Sequence, residues 1–236
     1  MTFLRLPVVL LLTGVLGLAG CSLHQPASLY QLDSGNPGQP KQSNGMAVLL
    51  GPVSVADYLQ RETLLQRQAD GSLKAASDGR WAGSLAADID QLLLRQLAWR
   101  LDSQRVMLAP TPSSANFSPD VQVLLTITRL DSGRSEPAIL DAQWRLIDRR
   151  GRVRDNRIVH LEEKHDGDTA AQVQAQGVLL QRLAEQLTAA VRPLANQPAL
   201  VEDARKAAPK VSKQEPDKAR IPQAVPIRTE MEVFRF

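Results

Sequence analysis

Two consecutive stretches between Val121 and Leu146 alternate apolar and polar residues, and this alternation constrains the fold more than any other feature. Val121, Val123, Leu125 and Ile127 interleave with Gln122, Thr126 and Thr128. Leu140, Ala142, Trp144 and Leu146 repeat the pattern, residues 148–152 (DRRGR) read as a turn, and 157–165 as the returning strand. Side chains of a strand point alternately to its two faces, so each stretch has one face for a core and one for water. Together they predict an antiparallel meander with one apolar side that another layer must cover.

Two helices can supply that layer. Leu85, Ile89, Leu92, Leu93 and Leu97 share one helical face behind a capping Ser84, which predicts a helix over 85–102. Leu94 points the other way, as it would on a helix covered on more than one side. Val173, Gly177, Leu180, Ala184, Leu187, Val191 and Leu194 recur with a 4-3 spacing, predicting a last helix with Thr169 as its cap and Pro193 in its final turn. Apolar residues 47–55 read as a buried strand with a bulge or edge at Gly51-Pro52. Shorter strands are expected at 29–32, at 63–66 and 72–76 around the turn Asp70-Gly71, and at 106–109 before Pro110 and Pro112. Trp81, Trp99 and Trp144 fall at or within these elements and are expected in the core. The fold class is therefore α+β: a mixed, largely antiparallel β-sheet with two main helices packed on it. A strand–helix–strand unit (47–55, 85–102, 106–109) adds one parallel pairing with a right-handed crossover.

The N-terminus reads as a targeting segment. Arg5 precedes an apolar run from Leu6 to Leu18, about as long as a signal-peptide core and too short for a comfortable span. The run ends in Leu18-Ala19-Gly20-Cys21, which resembles the bacterial lipobox, and Cys21 is the only cysteine of the 236 residues. In that chemistry the Cys21 sulfur takes a diacylglycerol, the chain is cut before it, and the new amine is acylated. Each buried methylene contributes about 0.8 kcal/mol, so two or more chains hold a protein at a bilayer. Ser22 follows rather than the Asp that retains lipoproteins in the inner membrane, which points to the outer membrane with the body in the periplasm. The expected organisation is a signal peptide over 1–20, a lipid-anchored segment and loop over 21–46, one domain over 47–196, and a Pro/Lys-rich disordered tail over 197–236.

Charge and motifs narrow the chemistry. The sequence pI is near 9.2. Residues 1–20 hold one base and no acid, 197–236 hold eight bases and six acids, and the remaining 19 bases and 19 acids cancel within 21–196. A neutral body makes a poor phosphate-tracking surface, so no nucleic-acid partner is expected. One cysteine and three histidines argue against a disulfide framework and a metal cage. No G-x-S-x-G, P-loop, dinucleotide glycine motif or H-E-x-x-H occurs. Glu162, Glu163, His165, Asp166 and Asp168 form an acidic cluster that reads as a solvated strand end and loop. Arg145, Arg149, Arg150, Arg152, Arg154 and Arg157 concentrate around one hairpin; two readings stand, a contact with anionic lipid head groups, peptidoglycan or an acidic partner face, and the favoured one, a charged hairpin balanced by Asp148 and Asp155. No catalytic residue, metal or cofactor is expected.

Three further stretches carry a resemblance: Gly51 to Leu59 (GPVSVADYL) followed by Arg61, Arg80 to Leu85 (RWAGSL) entering the helix, and Trp144 to Asp148 (WRLID) leading to Gly151. With the lipobox, and with Leu29-Tyr30-Gln31-Leu32 near the mature N-terminus, this ordered set resembles the ABC-type transport auxiliary lipoprotein (PqiC-like) family over roughly residues 21–195. The resemblance implies a non-enzymatic outer-membrane lipoprotein facing the periplasm. It also implies work with a periplasm-spanning mammalian-cell-entry (MCE) domain protein and an inner-membrane permease, and leaves self-association into a ring open. Such systems move lipid between membranes or maintain the envelope. Tyr58, Leu59, Arg61, Arg80 and Trp81 are the expected partner contacts, with core packing an alternative for Tyr58 and Trp81. Two other readings stay open: a lipoprotein activator of a cell-wall synthase, and an enzyme using the Glu162–Asp168 cluster.

Overall fold

A computed structural model of the chain describes residues 27–33, 35–110 and 117–195. The expected signal peptide, Cys21 and the expected tail lie outside the described residues. The chain divides into units Met1–Gln197 and Pro198–Phe236, of which the second is not described.

Strands β1 (Ser28–Tyr30), β2 (Val48–Val55), β3 (Thr63–Arg67), β4 (Leu73–Trp81), β5 (Val106–Leu108), β6 (Val121–Asp131), β7 (Ala138–Asp148) and β8 (Val153–Glu163) are joined by helices α1 (Leu85–Arg100) and α2 (Thr169–Ala195). The fold is α+β. The predicted meander is present: β6, β7 and β8 pair antiparallel, Ala142 opposite Ile127 on one side and Val159 on the other. The inward row Val121, Val123, Leu125, Ile127 and the row Ala138, Leu140, Ala142, Trp144, Leu146 are all buried. Helix α2 lies over β6, β7 and β8, helix α1 over β2 and β5, and the helices pack on each other. Trp144 is fully buried; a side chain of that size removes enough apolar surface to contribute about 2–3 kcal/mol.

Two features depart from the single sheet expected. Among the described residues there are two sheets, a five-stranded one in the order β5-β2-β6-β7-β8 and a three-stranded one in the order β1-β4-β3. Parallel pairing is also more frequent than the one instance expected. β2 runs parallel to both β5 and β6, and β1 runs parallel to β4. The reason is connectivity: each of these pairs is separated by a long crossover, which returns the chain in the same direction. β4 extends to Trp81, beyond the expected Ala76, because β1 and β3 flank it on both edges although its own faces are mostly solvated.

Local signals landed with two exceptions. The register of β2 against β6 shifts between Leu50 and Val53, so Gly51-Pro52 is the bulge expected there. Gly51 has φ +110°, and a Cβ there would stand 2.6 Å from the Ala109 carbonyl oxygen, so only glycine fits. Ser84 caps α1, its hydroxyl accepting the Ala87 N–H at 3.3 Å. The cap of α2 is Asp168 rather than Thr169: Asp168 Oδ1 accepts the Ala171 N–H at 2.7 Å and its carbonyl accepts the Gln172 N–H. Thr169 instead donates its hydroxyl to Asp78, 2.9 Å away on β4. Trp99 is 41% exposed, not core. It sits on the outer side of α1, with the Arg100 guanidinium 5.3 Å from its ring and the backbone at Gly38 against its edge.

Candidate functional site

The residues singled out by the GPVSVADYL and RWAGSL stretches come together at one end of the small sheet. β2 ends at Val55, and the chain turns through a short 3-10 helix, Asp57–Gln60, before entering β3. Trp81, at the end of β4, donates its backbone N–H to the Glu62 carbonyl at 2.9 Å, and Thr63 pairs with Arg80. Leu59 and Trp81 are each 5% exposed and belong to the core. Arg61 and Arg80 are exposed, and Tyr58 is half-buried between the two sets. The cluster is thus layered: two apolar side chains underneath, two guanidinium groups outside, one phenol across the boundary. A cavity of about 10 Å³, room for one water at most, lies under it among Tyr58, Leu59, Trp81 and Gln176.

The Tyr58 hydroxyl is fixed from both sides. It donates to Asp131 Oδ2 at 3.1 Å and accepts the Leu130 N–H at 3.1 Å. Burial pushes its pKa up to about 12, with the Asp131 carboxylate adding to the effect and the Leu130 hydrogen bond opposing it. Asp131 is 1% exposed and ion-paired twice, to Arg67 and to Arg129, whose Nε is 3.0 Å from Oδ1. The Asp131 hydrogen bond raises the Arg67 pKa. Sequence reasoning passed over Asp131, Arg67 and Arg129. A register shift in β6 between Ile127 and Arg129 turns Leu130 and Asp131 both inward, and no residue spacing marks that shift.

The other charged clusters are dispersed. Glu163 pairs with Arg182 on α2, Asp168 caps α2, and His165 Nδ1 accepts the Gly167 N–H at 3.0 Å. Glu162 and Asp166 line a cleft of about 390 Å³ together with Arg134, Glu136, Lys164 and His165. Among the described residues no three His, Cys, Asp or Glu side chains are grouped to hold a metal ion. On the arginine hairpin, Arg152 and Arg154 share Asp148, at 2.9 and 3.6 Å. Arg157 stands 3.7 Å from Asp155 and 5.4 Å from the Trp144 ring centroid. Arg149 pairs with Asp120, a partner from outside the hairpin. Among the described residues no helix is long and apolar enough to cross a membrane.

Comparison with known proteins places this architecture. A model of the ABC-type transport auxiliary lipoprotein component matches residues 30–188. No curated protein matches the chain. The crystal structure of an uncharacterised protein superposes with a TM-score of 0.56 at 19% identity, covering 71% of this chain and 99% of its own. A protein from Xanthomonas campestris gives a TM-score of 0.54 at 16% identity, covering 76% and 96%. These two likenesses carry the fold alone. The family model spans both sheets and both helices except their outermost ends, and on that extent the chain belongs to the ABC-type transport auxiliary lipoprotein family.

Proposed function

We propose that this chain is a non-enzymatic docking subunit of an MCE-type intermembrane lipid-transport and envelope-integrity system. Acyl groups on Cys21 hold it at the periplasmic face of the outer membrane, where it receives the end of a periplasm-spanning MCE-domain protein whose other end meets an inner-membrane permease. The observation that carries this reading is the family match over residues 30–188, nine residues after Leu-Ala-Gly-Cys. Tethering makes the second contact intramolecular in effect, so a small protein surface suffices. Arg61, Arg80 and the rim of Tyr58 form that surface, and Leu59 and Trp81 support it from beneath. Copies arranged as a ring around the partner's end fit the same reading.

Cross-linking on native membranes, followed by identification of the neighbours, tests it. An MCE-domain protein is the expected neighbour, lost in an Arg61→Glu/Arg80→Glu variant that melts like the parent. A penicillin-binding protein in its place would transfer the chain to the cell-wall activator reading. Cys21→Ala is expected to leave the membrane fraction or remain unprocessed; outer-membrane fractionation of a processed Cys21→Ala protein would remove the anchor from the account.

A further inference from the structure

Strand β8 ends the large sheet with one side of its backbone open. It is 11 residues long and pairs with β7, and no strand or bridge among the described residues meets its outer edge. The Asp148 N–H donates to the Arg152 carbonyl, so the even-numbered residues of β7 turn their backbone groups toward β8. Ala142 stands opposite Val159 and Leu140 opposite Leu161, so the odd-numbered residues of β8 answer them. Asn156, Ile158, His160 and Glu162 therefore present their N–H and C=O groups outward, and Arg182 Nη1 meets the Glu162 carbonyl at 3.2 Å.

An open edge is a template for another strand, and natural edges are guarded by charge, bulges or cover. β8 is guarded at one end. Arg154 stands between the Leu146–Asp155 and Ile147–Val153 pairs as the extra residue of a bulge, which closes the regular edge there. From Asp155 onward the edge is regular, and Ile158 lies exposed at its middle. The charges at its two ends are of opposite sign. Arg154 is 3.6 Å from Asp148, which Arg152 holds at 2.9 Å, so the Arg154 guanidinium keeps donors for a second carboxylate. The Glu162 carboxylate has no ion pair among the described residues, whereas the adjacent Glu163 is committed to Arg182.

We infer that β8 pairs antiparallel with β8 of a second copy of this chain, about a two-fold axis through Ile158. In that register Ile158 faces its own copy, Asn156 faces His160, and Arg154 faces Glu162. Moving the axis to Asn156 sets Ile158 against Arg154, and moving it to His160 sets Ile158 against Glu162, so either shift puts the apolar side chain against a charge. A parallel partner in register would bring Arg154 to Arg154 and Glu162 to Glu162. The charges thus select both direction and register. A two-fold contact closes at two copies, so a larger ring uses another surface. One strand pair buries less than a standard interface, so the association is weak in dilute solution and an unfolding measurement reads the monomer.

The test is oxidative cross-linking of the full chain in detergent, in a Cys21→Ala background that leaves one engineered cysteine. Cα atoms of a hydrogen-bonded antiparallel pair lie about 5.5 Å apart, within reach of a disulfide. Ile158→Cys is expected to form a covalent dimer at least about tenfold faster than Val153→Cys, an exposed position whose two copies would stand about 30 Å apart. Sedimentation equilibrium of the Cys21→Ala chain is expected to show monomer and dimer, with association weakened about tenfold or more by Ile158→Lys and by Glu162→Arg and with unchanged melting curves. Equal cross-linking at the two positions, cross-linking at neither, or wild-type association in both charge variants would overturn the inference. No step uses the acyl anchor or the docking partner, so this result stands apart from the neighbour cross-linking and the fractionation above.

Discussion

Asp131 is where a single side chain carries the most. Its carboxylate is removed from water and balanced by Arg67, Arg129 and the Tyr58 hydroxyl. Removing one partner of a buried pair leaves a charge with no solvent to return to, so Asp131→Ala is expected to cost about 3–5 kcal/mol in urea unfolding. Tyr58→Phe deletes the bonds to Asp131 and Leu130 and is expected to cost about 1–2 kcal/mol by the same measurement. The tyrosine also sets an alkaline limit. Its folded pKa of about 12 lies above the 10.0 of an unperturbed phenol, so the fold prefers the protonated form. The contribution is complete below pH 10 and declines as pH rises toward 12. Phenolate absorbance should show a component titrating near 12 that Tyr58→Phe abolishes.

At the scale of the element, caps and registers separate what patterns reveal from what they do not. The alternation of β6 and β7 told which residues face the core because one face of each strand is buried along most of its length. β8 carries two adjacent apolar residues, Ile158 and Val159. Only pairing with β7 shows that Val159 faces inward opposite Ala142, while Ile158 is 78% exposed. Ile158→Thr should therefore change stability by less than about 0.5 kcal/mol. The start of α2 offers the same contrast: Asp168 and Thr169 are both good caps by type, and the one that caps is the one whose carboxylate reaches the Ala171 N–H. Asp168→Ala is expected to cost about 1 kcal/mol, read from the urea midpoint. The 4-3 seam of α2 was legible, yet Gln172, Gln176 and Thr188 are buried beside it. They turn inward because α2 packs on the large sheet, on α1 and on β4 at once.

The two sheets are held together differently from the way each is held within itself. The large sheet and both helices share one apolar core that includes Trp144, Leu180 and Leu187. The small sheet meets it through polar bonds: Thr169 to Asp78, Gln66 beside Thr169, and the Arg67 N–H donating to the Ser132 carbonyl at 2.8 Å. Its apolar contribution is confined to side chains such as Leu64 and Trp81. Native-state hydrogen exchange should accordingly show β3 and β4 opening at a lower free energy than β6, β7 and α2, which should exchange only on global unfolding. Uniform protection across both sheets would contradict this division.

By itself the sequence determined the fold class, the meander, both helices, the bulge at Gly51, the cap at Ser84 and the family. All of these rest on local chemistry or on a repeat that a neighbour in sequence can complete. The tertiary structure decided how the strands divide into two sheets, that Asp131 joins Tyr58 and two arginines, that Leu59 and Trp81 lie under Arg61 and Arg80, and that unpaired charges from two loops face one another across a cleft. Asp131 meets Arg67 and Tyr58 across 64 and 73 positions, and the cleft is lined from the β6–β7 turn and from the end of β8. A linear pattern records which side of its own element a residue occupies; it does not record which distant residue is brought to that side when long crossovers close.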